Sequence, residues 1–279
     1  MCKAIGAVAS NRCSVLGLEG VDEVALPASP IICIPTTAGS SADVSQFAII
    51  TDEQKKRKFA IISKTMLPDL ALIDPETTMT MNLELTAATG LDALSHAFES
   101  YVSNASSAIT DMFALEATKI LAEYLPKVYD DPGNIMFRNE VMMGSMYAGL
   151  AFSNASLGLV HAMAHSLGGN LDSPHGECNA QLLEHVVAFN YSHAPDKYRA
   201  LEAIISGKKP SNKSGPDGLI LELRNINDHL GIKPGLSNMG VKEEDIKCLC
   251  ENAFLDPCLA TNPRSATIKD IEVLYHGAL

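Results

Sequence analysis

The chain lacks the features that mark several protein classes. Its seven cysteines are odd in number and show no framework spacing, so a disulfide-stapled secreted fold is not expected. Basic residues are scarce, since 21 lysines and arginines stand against 33 acidic residues, for a formal net charge of −12. This balance disfavours binding to nucleic acid or anionic membranes, because like charges repel. The first residues show no secretory or transit pattern, and we therefore expect a cytoplasmic protein.

The sequence also lacks a stretch typical of a membrane span, which needs roughly 18–20 consecutive apolar residues. The longest uncharged stretch, Val141 to Leu171, has the length but is rich in Gly, Ala, Ser, Asn and His. That composition favours close packing of helices in a soluble protein. Hydrophobic residues make up 47% of the 279-residue chain, which is enough for a well-buried core.

The pattern of apolar residues along the sequence changes near residues 80–85. Before this point, short apolar segments bounded by turn residues predict strands at 31–35, 47–50, 59–63 and 70–74. After it, apolar periodicity of about 3.6 residues predicts helices at 106–125, 134–152, 156–167, 178–190, 195–206, 217–230 and 242–253. The polar segment 207–215 is predicted to be a loop.

We therefore predict an α/β N-terminal domain at residues 1–82 and an all-α C-terminal domain at 83–279. An α/β domain of about 80 residues is small, and this one begins with a helix-like segment. We therefore interpret it as the C-terminal part of a larger α/β domain.

Aspartate and histidine recur at helical spacing in GLDALSHAFE and LVHAMAHSLGGNLDSPHGE. Asp92 and His96 are four residues apart, as are His161 and His165, so each pair leaves one face of a helix. With His175, these five side chains are candidate ligands of a divalent transition metal. Nitrogen and oxygen ligands without thiolate fit Fe²⁺, Zn²⁺, Mn²⁺ or Co²⁺. Spacing alone does not distinguish a metal site from ordinary ion pairs on a helix surface or from buried histidines. It also does not show which of the five residues would bind the metal.

These segments, with PTTAGSSADVSQFAIITDEQKKRKFAI, LPDLALIDPETT and DPCLATNPR, resemble the iron-containing (group III) alcohol dehydrogenase family over nearly the whole chain. The resemblance implies a dehydroquinate-synthase-like fold, with a dinucleotide-binding α/β domain and a helical metal-binding domain. It implies that Asp92, His96, His161 and His175 bind Fe²⁺, or Zn²⁺ or another divalent transition metal. His165 matches a family histidine that lines the site, and we interpret it as a catalytic proton-relay residue.

The resemblance also implies contacts to NAD(P), and these would come from Thr36, Thr37, Ala38, Gly39, Ser40, Ser45 and Lys58. Without the resemblance, the TTAGS segment is better interpreted as an ordinary glycine turn with hydroxyl caps. The family places a GGGS-type phosphate loop ahead of a helix resembling CKAIG, and these 279 residues contain no such loop. We therefore expect an incomplete dinucleotide-binding domain and weak affinity for NAD(P).

The implied function is metal-dependent hydride transfer between a small primary alcohol or aldehyde and NAD(P), impaired in this shortened chain. The alternative is a non-catalytic metal-binding or regulatory relative. A lyase or synthase on the same fold would need basic residues for an anionic substrate, and residues 83–189 contain only Lys119, Lys127 and Arg138. We also expect a homo-oligomer, because a small α/β domain exposes apolar surface.

Overall fold

The computed structural model describes residues 1–208 and 215–279, and this part of the chain contains ten α-helices and five strands. The helices are α1 (Cys2–Asn11), α2 (Leu83–Val102), α3 (Ala108–Asp130), α4 (Ile135–Ala155), α5 (Leu159–Leu171), α6 (His175–Asn190), α7 (Pro195–Ser206), α8 (Asp217–His229), α9 (Ile246–Phe254) and α10 (Ile268–Ala278). The strands are β1 (Gly20–Val21), β2 (Ile32–Cys33), β3 (Phe47–Asp52), β4 (Arg57–Ile62) and β5 (Leu70–Ala71). Residues 209–214 of the predicted polar loop lie outside the described residues.

The strands are organised around one hairpin. β3 and β4 pair antiparallel in the register Phe47↔Ile62 to Asp52↔Arg57, and β1 extends this sheet by pairing parallel to β4. β2 and β5 form a separate parallel pair. Apolar side chains of the hairpin, among them Phe59 and Ile61, pack in one cluster with alanines of α1. Each of the four predicted strands overlaps an observed one, whereas β1 is too short to show an alternating pattern.

The helical part is built around α2. Its first turn is capped by the Asn82 side chain, which accepts a hydrogen bond from the Leu85 N–H at 2.8 Å. α2 packs against α3, α4 and α6, and nearly all its residues from Thr86 to Val102 are buried. Many of these residues are small, which lets the neighbouring helices approach closely. Polar residues on α2 therefore lie inside the core.

Every predicted helical segment overlaps an observed helix, and α7 has its predicted bounds. The predicted end of α3 at Leu125 is wrong, because the helix continues through Pro126 to Asp130. Proline removes one backbone donor from a helix, but Leu125 and Val128 on either side are fully buried, and their burial offsets that loss. α10 lies in no predicted segment.

The predicted fold class, an α/β part followed by an all-α part, is confirmed. The division into domains at 82/83 stays a prediction, although α2 does begin at Leu83. No described helix has both the length and the apolar character needed to cross a membrane.

Lys3 is an unusual cation, since only 4% of this residue of α1 is exposed. Its Nζ donates a hydrogen bond to the backbone oxygen of Ser45 at 2.7 Å. Burial lowers the pKa of Lys3 from 10.5 to about 8, against smaller opposing effects of Cys33 and Asp43. The folded chain therefore binds this proton less tightly than the unfolded chain does.

We predict that Lys3→Met raises the free energy of unfolding at pH 7, by on the order of 2 kcal/mol. Because the folded pKa lies below the unfolded one, the unaltered chain gains stability as the pH rises from about 8 to about 10.5. The advantage of the variant should therefore shrink over this interval. Urea unfolding at several pH values measures it, with the exposed Lys64→Met as control, and a difference independent of pH would contradict the prediction.

Candidate metal centre

Three imidazoles converge on one carboxylate oxygen. The Oδ1 atom of Asp92 lies 3.6 Å from His96 Nε2, 3.5 Å from His161 Nε2 and 3.6 Å from His175 Nε2. In a tetrahedral site with bonds of about 2.1 Å, neighbouring ligand atoms are roughly 3.4 Å apart. The distance from Asp92 Oδ1 to each of the three Nε2 atoms therefore suits two ligands of one ion.

Two helices bring the first three of these residues together. Asp92 and His96 lie one turn apart on α2, and His161 lies in the first turn of α5. Ligand atoms of these three residues all lie within 4.8 Å of one another, and all three residues are buried. Burying one carboxylate and two imidazoles is costly unless they have a partner, and a metal ion would provide one.

The fourth residue, His175, comes from the start of α6. The chain turns into this helix through Asp172, which has a left-handed backbone conformation with φ of 53°. The next residue, Gly176, touches the backbone of α2 so closely that a Cβ atom there would lie 1.9 Å from the Ala88 oxygen. Only glycine permits this approach, which places His175 beside Asp92.

Burial, neighbouring charges and hydrogen bonds determine whether each of the four side chains is protonated. Burial would raise the pKa of Asp92, but the neighbouring imidazoles hold it far below its usual value, so the carboxylate is ionised. Burial lowers the pKa of His96 to about 4 and that of His175 well below 6.5. Burial also disfavours a charged His161, yet hydrogen bonds to Asp92 and Glu99 raise its pKa to about 9. Two imidazoles are thus neutral at pH 7, the state in which histidine binds a metal.

Unpartnered buried atoms also cluster here. Within residues 1–208 and 215–279, the buried side-chain atoms without a hydrogen-bond partner are His96 Nδ1, His175 Nδ1 and Asn179 Oδ1. All three atoms belong to residues of this centre, although the histidine atoms near Asp92 are Nε2 and not Nδ1, and the Asn179 amide donates to Asp92 Oδ1 at 2.8 Å. Unsatisfied buried polar atoms are uncommon in folded proteins, and they often indicate a ligand, ion or water.

A cleft of about 350 Å³ opens onto the centre. Its lining includes Asp92, His96, His161, His175 and His165, together with three predicted cofactor residues, Ser40, Ser45 and Lys58. The other four predicted cofactor residues lie in the same turn as Ser40 but do not line the cleft. Thr36 is exposed, Thr37 is half-buried, and Ala38 and Gly39 are buried. A Cβ on Gly39 would lie 2.7 Å from the Thr89 oxygen of α2, so packing accounts for this glycine.

His165 is held beside the centre rather than within the converging set. Its Nδ1 lies 2.8 Å from Asp256 Oδ2, and its ring stacks on that of His175 with 5.2 Å between centroids. Asp256 is fixed in turn, because its Oδ1 accepts a hydrogen bond from the Cys258 N–H at 2.8 Å. A second cleft of about 320 Å³ shares His165 and Lys58 with the first. His165 therefore lies between two openings.

His165, Asp256 and Cys258 also form a compact group of possible ligand atoms. Burial raises the pKa of the Cys258 thiol well above 9, so this sulfur is protonated at neutral pH. A cysteine binds a metal ion as the thiolate, not as the protonated thiol. The group is therefore a poorer metal site than the one around Asp92.

Three polar residues of the site lie outside the predicted set: Glu99, Asn179 and Asp256. Helical spacing could have indicated the first two, because Glu99 lies three residues after His96 and Asn179 four after His175. Asp256 is 91 residues from its partner His165, and no local pattern links them.

Two models of known protein families match successive parts of the chain. The family model "Fe-containing alcohol dehydrogenase family, C-terminal" matches residues 86–279, and the model "Iron-containing alcohol dehydrogenase" matches residues 1–75. The NAD-dependent methanol dehydrogenase of Bacillus methanolicus is 39% identical over 279 residues, and the lactaldehyde reductase of Escherichia coli K12 is 40% identical over 281 residues. Both alignments cover 99% of this chain and 73% of the relative.

Solved structures share the fold as well. A 1,3-propanediol oxidoreductase superposes with a TM-score of 0.94 at 34% identity, covering 99% of this chain and 73% of that chain. The similarity therefore extends through both the strand-containing and the helical parts.

We predict that removing metal with a chelator lowers the melting temperature and that Fe²⁺ or Zn²⁺ restores it. A ligand at about 100 times its dissociation constant stabilises the folded state by about 2.7 kcal/mol. For a chain of this size that corresponds to about 5–10 °C. Calorimetry with metal analysis measures the effect. Asp92→Asn, which keeps the shape but loses the charge, should respond little, and an equal response in both proteins would argue against this site.

Proposed function

Because the chain belongs to the iron-containing alcohol dehydrogenase family, we propose that it transfers a hydride between a small primary alcohol or aldehyde and NAD(P). In this proposal Asp92, His96, His161 and His175 hold a divalent ion, Fe²⁺ by family and Zn²⁺ as the alternative. The proposal rests above all on the three Nε2 atoms lying 3.5–3.6 Å from one carboxylate oxygen beside a cleft. The relatives named for methanol, lactaldehyde and 1,3-propanediol support a small substrate.

The bound ion would supply Lewis acidity at the substrate oxygen. The protein's part is to hold four ligand atoms in place and to limit the charge of the set. Asp92 is its only carboxylate, so a divalent charge is only partly offset, which favours a developing alkoxide. Apolar side chains such as Phe47, Phe152 and Leu157 line the same cleft and reduce the access of water.

His165 is the proposed proton-relay residue. Its position between two clefts gives a proton a route from the substrate side toward the second opening. Asp256 holds the ring through Nδ1, which leaves Nε2 to exchange a proton. The ring also stacks on that of His175, next to the proposed ligands.

For the cofactor, Ser40, Ser45 and Lys58 provide the strongest support, because they line the cleft together with the ligands. Thr36, Thr37, Ala38 and Gly39 stay proposed contacts through their backbone or the exposed Thr36 hydroxyl. The 279 residues contain no glycine-rich phosphate loop, and they span 73% of the length of the methanol dehydrogenase. We therefore propose that these residues bind NAD(P) weakly.

A cytoplasmic location and self-association complete the proposal. All seven cysteines are free thiols, which fits a reducing compartment. Apolar side chains around β2 and β5 are half exposed or more, from 50% for Ile34 to 64% for Ile32. Such exposed apolar surface favours a homo-oligomer.

The second candidate function is a non-catalytic metal-binding relative. It is favoured because the 279 residues contain no glycine-rich phosphate loop, whereas they do contain all four proposed metal ligands. The two functions differ in what they predict for a metal-loaded sample at saturating cofactor.

We predict that the metal-loaded chain oxidises or reduces members of a panel of short alcohols and aldehydes when NAD(H) or NADP(H) is supplied in millimolar amounts. Asp92→Asn should abolish both metal binding and turnover. His165→Asn should keep the metal but lower kcat by about 10²-fold, because the amide cannot carry a proton. Metal analysis and absorbance of the reduced nicotinamide measure the two properties on the same sample.

One stoichiometric ion without turnover would contradict the dehydrogenase and favour the non-catalytic relative. Cofactor titration by calorimetry tests the weak binding separately. A dissociation constant for NAD(H) in the micromolar range would contradict that part of the proposal alone.

A further inference from the structure

Glu99 is a buried carboxylate directly behind one of the proposed ligands. It is 4% exposed, and its Oε2 atom lies 2.6 Å from His161 Nδ1. It occupies the same face of α2 as two ligands, because Asp92, His96 and Glu99 stand at positions i, i+4 and i+7. One helix therefore presents two ligands and the support of a third.

The contact determines which nitrogen of His161 faces the centre. A carboxylate only accepts hydrogen bonds, so the Nδ1–H of His161 donates to Glu99. Nε2 is then the ring atom directed to the side where Asp92 Oδ1 lies at 3.5 Å, and a metal ion bound there would replace the proton on Nε2. The amide Nδ2 of Asn179 lies 3.2 Å from the same Nε2 atom.

Glu99 also caps the helix that carries His161. α5 begins after Gly158, which has no side chain to accept from the free N–H groups of the first turn. Instead, Glu99 Oε1 accepts from the Val160 N–H at 2.6 Å and Oε2 from the His161 N–H at 3.3 Å. A Cβ on Gly158 would lie 2.8 Å from Glu99 Oε1, so the glycine makes room for the carboxylate.

We propose that Glu99 is a positioning residue that holds His161 with Nε2 directed at the metal and fixes the start of α5 in the same contact. The inference rests on the metal site of the proposed function and adds a residue that touches no ion itself. Partners of this kind fix the tautomer and orientation of a histidine ligand, and losing them typically weakens metal binding by about 10–100-fold.

Glu99→Gln tests the proposal with little change in shape. The amide has one accepting oxygen in place of two, so it cannot serve both the His161 ring and the Val160 N–H. We expect the dissociation constant for Zn²⁺, measured by competition with a chelator, to rise about 10–100-fold. Circular dichroism and thermal unfolding establish that the variant is folded.

Asn262→Ala is the matched control. The Asn262 Oδ1 atom accepts from the Leu159 N–H at 3.2 Å, so this residue caps the same helix turn. It forms no hydrogen bond with His161. The control should lose stability but bind Zn²⁺ like the unaltered chain.

Zn²⁺ affinity unchanged in Glu99→Gln would overturn the proposal and reduce Glu99 to a helix cap. If that variant does not fold, ¹⁵N chemical shifts of His161 in the unaltered, zinc-loaded chain decide the matter. Protonated Nδ1 with metal-bound Nε2 supports the role of Glu99, and the opposite tautomer overturns it. Failure of the unaltered chain to bind Zn²⁺ would overturn the metal site itself, and with it this inference.

Discussion

The centre depends on an ionised carboxylate that is held inside a helical core. Asp92 lies at the middle of α2, where burial opposes its charge, and neighbouring imidazoles offset that opposition. No lysine or arginine forms an ion pair with Asp92 in the described part of the chain. The arrangement therefore makes physical sense as a receptor for a cation.

Close helix packing makes this arrangement possible. Two of the helices that carry the proposed ligands, α2 and α5, are rich in small residues, and Gly176 brings α6 into direct contact with the α2 backbone. The hydrogen bonds of Glu99 then tie the start of α5 to α2. As a result, the proposed ligands lie on closely packed helices, and the site can be largely formed before a metal binds.

Helical spacing was enough to indicate Asp92 and His96 as a pair of candidate ligands, because they share a face whatever the rest of the chain does. It could not separate His165 from the ligands, since His161 and His165 have the same spacing. In the structure, His161 Nε2 lies 3.5 Å from Asp92 Oδ1, whereas His165 pairs with Asp256, a residue far away in the sequence. Spacing also gave no indication that α3 would run through Pro126, because the burial that sustains the helix is a tertiary effect.

For the proposed cofactor contacts, the sequence indicated a turn but not which of its residues face the cleft. The turn at residues 36–40 is present where the resemblance implies it, yet only Ser40 of the five lines the cleft. Gly39 is explained by its contact with α2, which a motif alone cannot reveal. Local sequence identifies a turn, but which of its atoms face a ligand depends on the helices packed behind it.

The central claim is that one divalent ion binds to Asp92, His96, His161 and His175. X-ray absorption at the zinc edge of the zinc-loaded chain tests this claim most directly. The account predicts one ion per chain with nitrogen and oxygen ligands at about 2.0–2.2 Å and the multiple-scattering signal of about three imidazoles. A sulfur ligand at about 2.3 Å, or a shell of oxygen atoms without imidazole, would contradict it.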